Sequence, residues 1–175
     1  RAPGLGFGYE EAIGFCPDPA HVRDKDGIAT SVVAASLVAA LKAQGRSVWD
    51  ELERLARLHG LHVSSPLTFR VEEIDQIASG MARLRAQPPS VLAGSPVVEV
   101  SDLSQGYRGL PPTDGVLVLT EAGDRVIARP SGTEPKLKCY LEVILPVAEG
   151  EPLPWEQARE RLDAIKGAFA EIIGL

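Results

Sequence analysis

The chain has 175 residues, 45% of them hydrophobic, enough to bury a sizeable core as one domain or two small ones. Its formal net charge of -6 opposes broad contact with nucleic acid, where cationic side chains must meet phosphates, and leaves room for a small local anion site. No apolar run reaches the ~20 residues that span a bilayer, and no basic segment followed by an apolar stretch marks a signal peptide, so no membrane partner is expected. The two cysteines, Cys16 and Cys139, lack CxxC or metal-ligand spacing and read as reduced thiols of a cytoplasmic protein. The chain opens Arg1-Ala2-Pro3-Gly4 and its one methionine is Met81, an opening compatible with processing, a tag remnant or a cut fragment.

The first dozen residues carry Gly4, Gly6 and Gly8 and read as a loop with a short strand. Asp24 or Asp26 offers an N-cap to a helix over 27–43 that Gly45 ends. Ile28, Val32, Val33, Leu37, Val38 and Leu41 surround that helix with apolar surface, which predicts burial. Ser47 starts a second helix with Asp50 placed for a capping box, a stripe of Trp49, Leu52, Leu55, Ala56 and Leu58, and Gly60 beyond its end. A strand over 62–71 carries Pro66, which puts part of it at a sheet edge, and a helix over 72–86 turns Ile74, Ile77, Ala78, Met81 and Leu84 inward until Pro88-Pro89 stops it. A short strand at 97–100 and a loop over 101–114 follow. The pair 115–120 and 125–129 reads as a hairpin, and strand 136–145 alternates Leu137, Cys139, Leu141 and Val143 against Lys138, Tyr140 and Glu142. The last helix, 155–173, buries Leu162, Ile165, Phe169 and Ile172, with Trp49 and Trp155 read as core anchors.

From residue 61 the order strand, helix, strand, hairpin, strand, helix predicts an α+β fold with a mainly antiparallel sheet. The first sixty residues offer long helices and almost no strand. Such helices cannot bury themselves alone, so the segment is expected to be the helical tail of an α/β domain whose body lies upstream.

Between two of the strands stands Arg129-Pro130-Ser131-Gly132-Thr133-Glu134-Pro135-Lys136-Leu137-Lys138. Arg129 can grip a phosphate with two N–H groups, the hydroxyls of Ser131 and Thr133 can donate to it, and Gly132 lets backbone N–H groups come close. Lys136 or Lys138 would add positive charge. On physical grounds alone the stretch is equally a hairpin turn whose Ser, Gly and Thr serve the backbone.

The stretch RPSGTEPK resembles the phosphate-binding loop of the α-D-phosphohexomutases, the family of phosphoglucomutases and phosphomannomutases. Gly8-Tyr9-Glu10-Glu11-Ala12-Ile13-Gly14-Phe15 resembles the family's sugar-recognition loop, and Arg23-Asp24-Lys25-Asp26-Gly27 the segment leading into the last helices of its third domain. The motifs occur in the family's order and span essentially the whole chain. The resemblance implies that residues 1–60 end the third domain and that 61–175 form the fourth, phosphate-binding domain, with a fold like that of the TATA-binding protein. It implies substrate binding by Glu10, Arg129, Ser131, Gly132, Thr133 and Lys138, with Lys136 and Lys138 the weaker matches. Lys25 matches a lysine that helps with phosphate or proton transfer; a surface lysine before a helix is the plain alternative.

The reaction so implied interconverts hexose 1-phosphate and hexose 6-phosphate. A phosphoserine gives its phosphoryl group to the sugar, hexose 1,6-bisphosphate forms as intermediate and activator, and Mg2+ held by aspartates of another domain assists. The chain contains neither the family's phosphoserine loop nor its Asp-x-Asp-x-Asp metal loop, and Asp24-Lys25-Asp26 is no metal site. It is therefore expected to be inactive alone and to need the remaining domains of the full-length enzyme, with a phosphorylated sugar as its ligand. Ala12 stands where many members have a serine, which resembles the phosphopentomutase-like branch and keeps a pentose open. A non-catalytic phosphosugar-binding module, or an interaction protein using exposed apolar helices, are the further alternatives.

Overall fold

The computed structural model describes residues 4–10, 13–132 and 134–174. The chain divides into two compact units, Arg1–Arg54 and Leu55–Leu175. In the first, β1 (Gly8–Glu10) and β2 (Gly14–Cys16) form an antiparallel ribbon with Tyr9 opposite Phe15. The Phe15 ring lies 5.2 Å from that of Tyr9 and 6.3 Å from that of Phe7 in tilted contacts, which steady a ribbon too small for a core of its own. α1 (Gly27–Ala43) starts where the sequence places it. The Asp26 carboxylate accepts from the amides of Ile28 at 2.9 Å and Ala29 at 3.0 Å, and the Asp26 amide donates to the Phe15 carbonyl at 2.9 Å, so the cap also ties α1 to β2.

The expected burial of α1 does not hold. Only Leu41 is buried, Ile28 is 83% exposed, and Val32, Val33, Leu37 and Val38 are exposed as well. The ribbon is the one layer packed on α1 among the described residues of this unit, and it cannot cover a helix that is apolar all round. α2 (Val48–His59) has its capping box: the Asp50 carboxylate accepts from the Ser47 amide at 2.6 Å, and the Ser47 hydroxyl accepts from the Asp50 amide at 3.2 Å. Its stripe stays largely open for the same reason, with Ala56 buried and Trp49 77% exposed, so Trp49 is no core anchor.

The second unit is an α+β layer. It contains β3 (Leu61–Arg70), α3 (Ile74–Ala86), β4 (Val91–Leu92), β5 (Ser95–Asp102), β6 (Val116–Thr120), β7 (Arg125–Pro130), β8 (Lys136–Leu145) and α4 (Trp155–Ile173). The strands form one antiparallel sheet in the order β3-β8-β7-β6-β5-β4. β3 lies at an edge, where Pro66 has no neighbour on one side to deprive of a donor. β8 lies inside, and its strict alternation buries Leu137, Cys139, Leu141 and Val143 against the helices. α4 packs on β8 and β3, and α3 on β6, β8 and α4, so both helices cover the same sheet face. Phe169, Ile165, Met81 and Leu84 fill the space between; each such side chain contributes about 2–3 kcal/mol of transfer free energy.

Several expectations change in this unit. Ile74, the first residue of α3, is exposed although it shares the face of Ile77 and Met81, Ala78 is exposed because it lies off that face, and Ile173 rather than Ile172 is fully buried at the end of α4. Trp155, at the first turn of α4, is 45% exposed. β4 was not expected, and the strand at 97–100 extends to Ser95–Asp102. The expected loop after it contains a 3-10 turn, Leu103–Gln105, capped by Asp102.

The β6–β7 turn is fixed by Asp124, which is fully buried. One carboxylate oxygen accepts from the Thr120 hydroxyl at 3.0 Å and from Arg161 of α4 at 2.8 and 3.0 Å. Among the described residues no single helix is long and apolar enough to cross a membrane.

Candidate functional site

Two concavities, one in each unit, hold Glu10 and Lys25 in the first and Arg129, Ser131, Gly132 and Lys138 in the second. In the first unit, β1 ends on Glu10 and the segment before α1 carries Lys25. The Lys25 ammonium donates to Glu10 Oε2 at 2.8 Å, and this hydrogen bond, with the carboxylate charge, raises the Lys25 pKa above its ordinary value. Gly14 makes the contact possible: a Cβ there would lie 2.2 Å from Lys25 Cδ and 3.0 Å from Glu10 Oε2. A cavity of about 770 Å³ opens beside the pair, with Tyr9, Arg23 and Asp24 also on its wall. A carboxylate that accepts from adjacent hydroxyls, next to a fully charged ammonium, is equipped to hold a polyhydroxylated anion. Both groups are exposed, so the pair itself adds little stability. Ile13, in the turn between β1 and β2, has φ of 63°, an uncommon conformation for a β-branched residue.

In the second unit, register places the cations. Arg129 on β7 pairs with Lys138 on β8, and Lys138 pairs in turn with Thr68 on β3. This row lies on the sheet face opposite the buried Ala128, Leu137 and Cys139. Directly opposed like charges are unfavourable, and among the described residues neither Arg129 nor Lys138 has an ion-pair partner. With Pro130, Ser131, Gly132 and Tyr140 they line a pocket of about 170 Å³. The loop is closed by the Ser131 amide donating to the Lys136 carbonyl at 2.9 Å and pinned to the end of β3 by Val71 donating to Pro135 at 3.1 Å. Among the described residues a Cβ on Gly132 would meet nothing within 4 Å, so their packing does not demand the glycine, and its open backbone is free to face an anion. Thr133 lies outside the described residues.

Lys136 does not join the pocket. Its ammonium donates to Glu134 Oε1 at 2.5 Å, and that bond holds the Glu134 carboxyl below its usual range, with Arg70 3.8 Å from the other oxygen. Of the two lysines, Lys138 alone lines the pocket. Sequence reasoning missed Tyr140, although its position two residues beyond Lys138 on a strand already puts both on one face. It missed the Glu134–Lys136 pair as well.

Residues 68–151 match the C-terminal domain of the phosphoglucomutase/phosphomannomutase family. A probable phosphomannomutase of Haemophilus influenzae is 41% identical to this chain over 81% of it and 29% of that protein. The phosphopentomutase of Pongo abelii is 28% identical over 94% of this chain and 29% of its own. In fold, the chain is similar over 95% of its length to 30% of parafusin, a Paramecium phosphoglucomutase whose open form has been solved, with a TM-score of 0.61 at 18% identity. The chain thus spans under a third of the length of these relatives. Sequence match and fold agree that the chain belongs to the phosphoglucomutase/phosphomannomutase family and carries its C-terminal domain.

Proposed function

We propose that this chain is the sugar- and phosphate-recognition part of a cytoplasmic phosphohexomutase that interconverts hexose 1-phosphate and hexose 6-phosphate. The observation that carries the reading is the cross-strand pair Arg129 and Lys138, opposed and without ion-pair partners among the described residues, around a pocket shared with Ser131 and Gly132. An anion of two charges compensates that pair. In the reaction proposed, the P–O bond of a phosphoserine elsewhere in the enzyme breaks as a sugar hydroxyl bonds to phosphorus and loses its proton. The hexose 1,6-bisphosphate then presents its other end, and the second phosphoryl group returns to the serine. The pocket holds the phosphate that is not reacting, Thr133 adding its hydroxyl, and Glu10 takes the sugar hydroxyls while Lys25 assists at the phosphate. Positioning and charge are the protein's main contributions to such a step.

Among the described residues no cluster of three or more carboxylate, histidine or cysteine side chains is placed to hold a cation. The proposal assigns Mg2+ to aspartates of another domain of the full-length enzyme. By the same proposal residues 1–60 end the third domain, 61–175 form the fourth, and the isolated chain binds without turnover. A phosphopentomutase-like activity is the second reading, favoured by relatives of that name that match 94% of the chain. Titration calorimetry of this chain with glucose 1-phosphate, mannose 1-phosphate and ribose 1-phosphate tests both. Saturable binding lost in Arg129→Ala supports the site, and the preferred sugar decides between the readings. Equal affinity in the folded Arg129→Ala variant overturns the assignment.

A further inference from the structure

Next to the cationic row of the sheet lies a row of different chemistry. Tyr140 of β8 pairs with Ile127 of β7 and Pro66 of β3, one step along the same face from Lys138, Arg129 and Thr68. α3 and α4 pack on the other face, and the Tyr140 side chain is half-buried on the wall of the phosphate pocket. Among the described residues its hydroxyl has no hydrogen bond and its ring no aromatic partner. The pocket, at about 170 Å³, holds the volume of roughly five or six waters at their ~30 Å³ share of the liquid. That suffices for a phosphate group and the first atoms of its ester. The remaining body of a bound ester must therefore lie outside the cationic cup.

We propose that Tyr140 determines specificity at this site: its ring is the platform on which the carbon skeleton of a phosphomonoester rests, so that the pocket takes organic phosphate esters in preference to inorganic phosphate. The inference rests on the phosphate-binding reading above and extends it to a residue that the motif does not contain. The chemistry fits a sugar phosphate, whose ring offers C–H groups to the aromatic face and hydroxyls to the phenolic tip. Inorganic phosphate carries no carbon skeleton to rest on the ring.

The test is titration of this chain and of its Tyr140→Ala, Tyr140→Leu and Tyr140→Phe variants with inorganic phosphate and with glucose 1-phosphate, alongside their urea midpoints. Wild type is expected to bind the ester more tightly. Ala and Leu variants are expected to lose about three- to tenfold in ester affinity, the scale of one aromatic contact, while inorganic phosphate changes less than about twofold and Phe retains most of the preference. An unchanged ester-to-phosphate ratio in folded Ala and Leu variants overturns the inference and leaves the phosphate site standing. Equal losses for both ligands also overturn it, because Tyr140 would then only support the loop. If neither ligand binds folded wild type, the phosphate reading and this inference fail together.

Discussion

Replacing Asp124 should weaken the second unit more than any exposed change. Its side chain is fully buried in the β6–β7 turn, where one oxygen receives two guanidinium hydrogen bonds from Arg161 and one from Thr120. The other oxygen, Oδ1, has no partner among the described residues. Asp124→Ala strands the Arg161 guanidinium and the Thr120 hydroxyl. Breaking a buried charge pair by removing one partner costs about 3–5 kcal/mol. The Arg161 side chain keeps 23% of its exposure and can find water, and the unpaired Oδ1 already carries a penalty that the variant removes. The expected loss is therefore at the low end, about 3 kcal/mol. Asp124→Asn keeps the shape and one acceptor, so about 1.5–2 kcal/mol is expected, the lower part of the range for a hydrogen bond to a charged group. Urea denaturation followed by far-UV circular dichroism measures both, with the slope checked for constancy. A double-mutant cycle with Arg161→Met isolates the pair. A loss under about 1 kcal/mol for Asp124→Ala, or a coupling near zero, would refute the reasoning.

Gly132→Ala should fold with a midpoint change within about 0.5 kcal/mol, since its Cβ meets nothing, yet bind glucose 1-phosphate several-fold more weakly; titration beside denaturation separates the effects. Glu51 hydrogen-bonds Arg54 and Arg46, and these bonds, Arg54 first, lower its pKa to about 2. Because the folded pKa is depressed, the contribution of Glu51 is full above its unfolded value of 4.5 and is lost as pH falls toward 2. An NMR titration of its carboxyl carbon should show a midpoint near 2, and Arg54→Met should raise it. Burial pushes the Cys139 thiol up to about 12, while Cys16 is half-buried and donates to the Val22 carbonyl at 3.3 Å. At pH 8 a thiol reagent should therefore label Cys16 in the native protein and reach Cys139 only on unfolding.

The readable parts of the sequence were those where local chemistry and tertiary context agree. β8 carries an unbroken period of two and is an interior strand, so its ends and its buried residues were legible. Asp26, Ser47 and Asp50 sit where the caps form because capping is decided within a turn of chain. Burial of α1 was not legible: an apolar helix predicts a partner layer, and among the described residues of its unit a small ribbon is what packs on it. β4 was missed because two residues carry no period. At the candidate site, the motif named Arg129, Ser131 and Gly132, but the choice of Lys138 over Lys136 depends on where β8 begins and on the Glu134 contact. The Glu10–Lys25 contact joins residues fifteen apart in the chain and depends on Gly14, whose missing side chain leaves the path open.

The most direct test of the central claim is amide chemical-shift mapping of this chain with increasing glucose 1-phosphate, repeated for Arg129→Ala. The account predicts saturable shifts at the amides of the non-proline residues of 129–138 that vanish in the variant while its remaining spectrum is unchanged. A folded chain whose 129–138 amides do not move, or move equally without the Arg129 guanidinium, would contradict it.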